Sequence, residues 1–241
     1  MSQGTGFNES TKRCFVVLCA ALIAVAGSHL TMMAAPKPPL LPDLIIDEDW
    51  MQSSLKTTTA KFGAGDCANV EGCVRGTGKR TLLKFDVVIG NMGAADFRLG
   101  DPAAQENQGL FEWSGCHGHY HLTGFASYEL LNQSNNAVVT GRKQAFCLLD
   151  TVKIDQTAGL AKYSCANQGI TVGWADVYDS SLDCQWLDIT GVPAGNYWLK
   201  VVVNADSVSK FNANLSASII SKLKESSYGN NTAIVPVTIK R

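Results

Sequence analysis

Thr81–Ile89 (TLLKFDVVI) is rich in β-branched and aromatic residues and stops at Gly90-Asn91-Met92-Gly93, the pattern of a strand running into a turn. The pattern repeats on both sides of it. Ala126–Leu131 (ASYELL) meets a polar Asn/Ser tip and Ala137–Thr140 leads back. Asn196–Val203 (NYWLKVVV) follows the turn Pro193-Ala-Gly195, and Ala233–Ile239 (AIVPVTI) follows Gly229-Asn-Asn231. Short runs at this spacing predict a mainly β chain, an antiparallel sandwich-like single domain with long loops and little helix. Only Leu215–Lys224 (LSASIISKLK) carries a helical period. Loops this long need staples, and disulfides are a physical means of ordering them.

The chain of 241 residues opens differently. Lys12 and Arg13 precede an apolar run from Cys14 to Ala26, which ends Ala24-Val25-Ala26 before Gly27. A basic start, a short apolar core and a small-residue exit predict a signal peptide over 1–26. The rival is an uncleaved signal anchor, since weak apolar character continues to Ala35, interrupted by Ser28, His29 and Thr31. Either reading puts the remainder outside the cell, in an oxidising compartment. Residues 27–41 read as a linker, Pro-rich at its end, and 42–241 as the domain. With 20 Lys+Arg against 21 Asp+Glu there is no basic field, so nucleic acid is not expected as a partner. Membrane contact would come only through an uncleaved anchor.

Of the 8 cysteines, two lie in the leader, leaving Cys67, Cys73, Cys116, Cys147, Cys165 and Cys184. An even number in a secreted chain predicts three disulfides, though parity does not say which pairs with which. A cysteine-based zinc site would need close C-x2-C pairs, and the sequence has none. Asn132, Asn214 and Asn230 open N-x-S/T sequons, consistent with a secreted glycoprotein.

Cys116-His117-Gly118-His119-Tyr120-His121 gathers three of the 4 histidines. In a strand, positions i, i+2 and i+4 share a face, so the three imidazoles would point together. A flat strand separates the outer two by roughly 13 Å, and Gly118 offers a bend that would shorten the span. The plain alternative is a His-rich strand face without a metal. All-imidazole ligation suits copper or zinc, and three protein ligands leave positions open for chemistry. Three functions compete here: a copper oxidase, a zinc hydrolase with Glu112 as the nearest carboxylate in sequence, and a secreted copper-binding module without chemistry.

Read more widely, Trp113-Ser-Gly-Cys116-His-Gly-His-Tyr-His121 and Phe125-Ala-Ser-Tyr128-Glu-Leu-Leu131 resemble the copper-binding block of the lysyl oxidase family. So do Gly141-Arg-Lys143-Gln-Ala-Phe-Cys147-Leu-Leu-Asp-Thr151, Asp176-Val-Tyr178, Asp183-Cys-Gln-Trp186-Leu-Asp-Ile-Thr190 and Tyr228-Gly-Asn-Asn231. Pro42-Asp43-Leu44 matches the opening of that domain, and the resemblance covers nearly all of 42–241.

The resemblance implies one copper on His117, His119 and His121. It also implies an organic cofactor, lysine tyrosylquinone, made from the chain's own Lys143 and Tyr178. The quinone carbonyl would be the electrophile for a primary amine, such as a lysine side chain of an extracellular protein. Dioxygen would reoxidise the cofactor, with aldehyde, ammonia and hydrogen peroxide as products. A carboxylate of raised pKa is expected as the base, and Asp176, Asp179 and Asp183 flank the tyrosine. The resemblance pairs Cys67 with Cys116, Cys73 with Cys184, and Cys147 with Cys165. A further family pair falls on Lys153 and Trp174, where both cysteines are missing together. Some members carry calcium, and its positions match Asp43, the Leu44 carbonyl, Glu225, Asn230 and Asn231, hard oxygen donors with Ser227 in place of an aspartate. Arg142 stands where the family usually has histidine. The expectation is a secreted copper-dependent amine oxidase of the protein-lysine 6-oxidase type; the alternative is a non-catalytic copper-binding module of the same fold.

Overall fold

Alternation of buried and exposed residues along Thr232–Ile239 (β15) is complete: Ala233, Val235, Val237 and Ile239 are buried and their neighbours exposed. That period belongs to a sheet with one wet face. The strand pairs with Gly195–Val203 (β14), which pairs in turn with Ala126–Leu131 (β8) and its hairpin partner Ala137–Thr140 (β9). Pro236 has no N–H to give, and it sits on the edge strand of this sheet, where none is needed. The computed structural model describes residues 38–122, 124–141, 147–205, 215 and 217–240. The leader 1–26, most of the linker, Arg142, Lys143 and the sequon at Asn214 lie outside the described residues.

A second sheet runs in the order Leu44–Ile46 (β1), Val87–Asn91 (β4), Trp174–Tyr178 (β12) and Val152–Lys153 (β10). A third joins Trp186–Asp188 (β13), Gly78–Lys84 (β3) and Lys56–Phe62 (β2). Two small ladders complete the described architecture. Gln168–Ile170 (β11) pairs with Phe97–Gly100 (β5), and Phe111–Ser114 (β6) pairs with His119–Leu122 (β7). Every pairing is antiparallel, as the short alternating runs predict.

One core joins the sheets: Val87 and Ile89 of β4 and Tyr178 of β12 belong to the same cluster as Tyr128 and Leu130 of β8 and Leu199 and Val201 of β14. Each such side chain, fully buried, contributes on the order of 2 kcal/mol. A smaller cluster of Ala68, Val74, Leu82 and Trp186 surrounds the cysteine pair Cys73 and Cys184.

Two expectations need correction. Thr81–Ile89 is not one strand; it breaks at Phe85-Asp86 and serves two sheets. Backbone groups at the break are taken by side chains instead of a ladder, the Asp86 N–H by Ser54 Oγ at 2.8 Å and the Phe85 carbonyl by Gln185 Nε2 at 3.1 Å. Helix is also not confined to the 215–224 region, where Ala217–Lys222 (α3) forms. Glu48–Ser54 (α1) is capped by Asp47, whose carboxylate accepts the Trp50 N–H, and Cys67–Val70 (α2) makes a single turn. Both are too short to show a period of 3.6. Among the described residues no helix is long and apolar enough to cross a membrane.

Candidate metal centre and its tyrosine

The β6–β7 hairpin builds the histidine cluster, but not as a straight strand. His119 and His121, two apart on β7, share a face. His117 belongs to the turn between the strands, where the Gly118 N–H donates to the Ser114 carbonyl at 2.8 Å and the His117 N–H to Ser114 Oγ at 3.2 Å. Gly118 has φ +68°, a left-handed conformation that any side chain would strain. The turn folds His117 back over the strand, which replaces the flat i, i+2, i+4 arrangement and removes its long span.

The imidazole rings converge. Their centroids are 4.8 Å apart for His119 and His121, 5.2 Å for His117 and His121, and 5.9 Å for His117 and His119. His119 Nε2 and His121 Nε2 face each other at 3.1 Å. Two nitrogens bound at about 2.0 Å to one tetrahedral ion would be roughly 3.3 Å apart, so this separation fits two ligands of one metal. Burial, then the neighbouring His117, lowers the pKa of His119, favouring the neutral imidazole that a metal requires.

A fourth group enters from far away in sequence. Glu71 Oε2 lies 3.0 Å from His117 Nε2, while Glu71 Oε1 accepts from Ser114 Oγ at 2.8 Å. Its side chain is 7% exposed. Glu71 follows α2 directly and is held on both sides by disulfides, Cys67–Cys116 to the β6–β7 hairpin and Cys73–Cys184 to the segment before β13. The sulfurs of Cys73 and Cys184 lie near the carboxylate, but as a disulfide they offer no thiolate to a metal. Cys184 has φ +66°, strained for a non-glycine residue, and the bridge to Cys73 pins it there. Sequence reading named Glu112, which is exposed and does not line the cavity, and missed Glu71. The available signal was the position of Glu71 between two cysteines expected to be bridged to the site.

Opposite the histidines stands β12. Asp176 and Tyr178 are two apart, share a face and are both buried. The Tyr178 hydroxyl donates to Asp176 Oδ2 in a short hydrogen bond and lies 3.4 Å from the Cys147 carbonyl. Asp176 Oδ2 also accepts the Leu149 N–H at 3.1 Å. Burial raises the Asp176 carboxyl to about 7 against the opposing hydrogen bonds, and burial with the Asp176 charge beside it pushes the Tyr178 phenol well above 10.0. Of the other two candidate bases, Asp179 is exposed and turned to the Ser181 N–H at 2.7 Å, and Asp183 is exposed at the cavity rim. A cavity of about 220 Å³ separates the two walls, with the three imidazoles and Glu71 on one side and Asp176, Tyr178 and Leu149 on the other. Lys143 lies outside the described residues; Cys147, four residues on, touches the tyrosine.

All three disulfides pair as the resemblance implies, the third being Cys147–Cys165. Lys153 and Trp174, where the further family pair falls, are direct partners across β10 and β12. Instead of a bridge, Lys153 Nζ sits 5.5 Å from the Trp174 ring centroid, a cation–π contact.

The five positions matched to calcium also meet. Glu225 is buried; its Oε2 accepts the Leu44 N–H at 2.6 Å, and its Oε1 accepts the side-chain amides of Asn204 and Asn231, each at 2.5 Å. Asn230 Nδ2 donates to Asp43 Oδ1 at 3.2 Å. Leu44 thus joins this cluster through its N–H to Glu225, while β1 pairs with β4. Burial raises the Glu225 carboxyl to about 7. The amide oxygens of Asn230 and Asn231 are buried without a hydrogen-bond partner among the described residues, which is what a hard cation would satisfy.

A mainly β, disulfide-stapled domain in which three clustered imidazoles and a buried tyrosine line one cavity is the class that the fold and the site define. The sequence model of the lysyl oxidase family matches residues 42–237, and the chain belongs to that family. It is 38% identical over 176 residues to lysyl oxidase homolog 2 of Gallus gallus, covering 68% of this chain and 22% of that protein. Identity is 42% over 150 residues with lysyl oxidase homolog 3 of Homo sapiens, covering 57% and 19%. With lysyl oxidase homolog 1 of Homo sapiens it is 37% over 177 residues, covering 68% and 30%. The chain thus spans less than a third of the length of these relatives.

Proposed function

We propose that this chain is a secreted copper-dependent amine oxidase that converts primary amines to aldehydes, with release of hydrogen peroxide and ammonia. Lysine side chains of extracellular proteins are the substrates we favour. The observation that carries this reading is the cavity in which three converging imidazoles face Tyr178. Family membership supports the same chemistry.

His117, His119 and His121 would hold the copper, and Glu71 would keep His117 oriented through its contacts to that ring and to Ser114. Copper and the lysine tyrosylquinone formed from Lys143 and Tyr178 would supply the electrophilic carbonyl and the path of electrons to dioxygen. Leu149 and Val177 give the cavity apolar walls, which favour the neutral form in which the amine must react. The contact of Tyr178 with Cys147, four residues after Lys143, favours this lysine as the partner. Calcium fits the cluster of Asp43, Leu44, Glu225, Asn230 and Asn231, and we assign it a structural role joining β1 to the segment before β15. Cleavage after the leader, one domain from 42, and glycosylation at the exposed hairpin tip of Asn132 belong to the same reading.

Lys143→Arg tests it. Copper-loaded wild type should release peroxide on adding a primary amine, and the variant should not. Release that survives the substitution would break the quinone reading. A wild type with full copper and no amine-dependent peroxide would leave a copper-binding module. For calcium, a rise in melting temperature on adding the ion is expected, and its absence counts against the site.

A further inference from the structure

We propose that Asp176 is the base that takes the phenolic proton of Tyr178 when the chain makes its own quinone, an inference that rests on the amine-oxidase function proposed above.

A buried phenol does not ionise unaided. Burial and the neighbouring carboxylate both disfavour the Tyr178 phenolate, yet oxidation of the ring needs the electron-rich anion. Asp176 is the carboxylate already on the reacting atom, because the Tyr178 hydroxyl donates to its Oδ2. Position on β12, between β4 and β10, fixes the pair, since residues two apart share a face of a central strand. The Leu149 N–H holds Oδ2 from the opposite segment at 3.1 Å. Oδ1 is buried and has no hydrogen-bond partner among the described residues, so the carboxylate is not saturated by donors. A carboxylate with every oxygen satisfied would be a poorer base.

The step is a plain proton transfer. The O–H bond of Tyr178 breaks, its electron pair stays on the phenolic oxygen, and the proton passes to Asp176 Oδ2. Nothing is oxidised or reduced here; the oxidation that follows uses the copper and dioxygen of the proposed function. Burial brings the carboxyl to about 7, which narrows the gap to the phenol and strengthens the base. Among the described residues, the other ionisable groups around the pair are Asp150 from the segment before β10, Tyr128 from β8, and Glu71 with the three imidazoles across the cavity. Asp179 and Asp183 are exposed, and Glu71 is engaged with Ser114 and His117.

The test compares full-length wild type and Asp176→Asn, both loaded with copper without oxygen and then exposed to air for timed intervals. Mass spectrometry reads the covalent Lys143–Tyr178 peptide, with copper content and melting temperature measured on the same samples. Wild type should form the cross-link, and Asp176→Asn should form it about 100-fold more slowly at equal copper occupancy. Cross-linking of the variant at the wild-type rate would overturn the assignment. If the variant loses copper or its fold, the wild-type rate decides: it should fall as pH drops below about 7, and a flat profile overturns the assignment. A copper-loaded wild type that never cross-links refutes the quinone reading itself, a failure distinct from a fully active variant.

Discussion

Strands β12 and β13 each carry a buried aspartate, Asp176 at 1% and Asp188 at 4% exposure, and the two titrate in opposite directions. Burial alone would raise both. At Asp188 it is outweighed by hydrogen bonds from Thr190, Arg80 and the Arg75 N–H, with Arg80 Nη2 at 2.6 Å and Nε at 2.9 Å, so its pKa falls below 3.8. Among the described residues Asp176 has a phenol and backbone N–H groups but no cation, and burial wins. The surroundings differ in the same sense. Just before β13 comes the Cys73–Cys184 bridge, whereas β12 has a cation–π pair at the positions of a family disulfide. The anchoring wall satisfies its charge completely. The wall facing the cavity leaves a carboxylate partly unsatisfied, which stability alone would not retain and proton transfer requires.

The largest effect should come from the anchoring side. Asp188→Asn leaves Arg80 unpaired and should cost about 4 kcal/mol, a fall in melting temperature of about 10 °C. Because the folded pKa lies below the unfolded one, the stabilisation is present above pH 3.8 and is lost as pH falls through the folded value. Thermal melts of the variant and wild type should therefore differ most at neutral pH and converge in acid. A neutral-pH cost under about 1 kcal/mol would show that the ion pair is not what distinguishes the two walls.

A smaller effect should follow from restoring the missing staple. Lys153 and Trp174 face each other in an antiparallel pair, where Cα separations of about 4.5–5.5 Å suit a disulfide. Lys153→Cys with Trp174→Cys should form the bridge during oxidative folding. Closing a loop of this length contributes roughly 3 kcal/mol, less about 1 kcal/mol for the lost cation–π contact. A net gain of about 2 kcal/mol should appear as a higher melting temperature that reductant abolishes. Free thiols at both positions after oxidative folding would mean that β10 and β12 are not held in this register.

What the sequence disclosed followed from locality. His117, His119 and His121 fall within five residues, so their chemistry shows without any fold. Runs such as Ala233–Ile239 declare their period because each faces a core on one side and water on the other. Cysteine parity gave the number of bridges, and only the family resemblance gave their partners. Glu71 stayed hidden because it reaches His117 across 46 positions, through a loop whose path two disulfides dictate. The turn that redirects His117 depends on the conformation of Gly118, which three alternating histidines disguise as a strand. Thr81–Ile89 read as one strand because its hydrophobic pattern continues through Phe85, although backbone bonds to Ser54 and Gln185 divide it. Asp176 was one of three flanking carboxylates until burial separated it from Asp179 and Asp183.

The smallest expected change is also the most direct probe of the contrast. In Asp176 the folded pKa, about 7, lies above the unfolded value near 3.8, so the folded state keeps a proton that the unfolded state has released. Its contribution to stability is present below about pH 4 and is lost as pH rises through about 7, the reverse of Asp188. Asparagine has the same shape and no charge to bury. Asp176→Asn should match wild type near pH 4 and become the more stable protein by pH 8, by on the order of 1 kcal/mol. Denaturant melts at the two pH values read this gap directly. A variant less stable than wild type at pH 8 would mean that the charged carboxylate is compensated within the fold, as Asp188 is. The cavity wall would then be another anchor, and the spare basicity assigned to Asp176 would have no physical source.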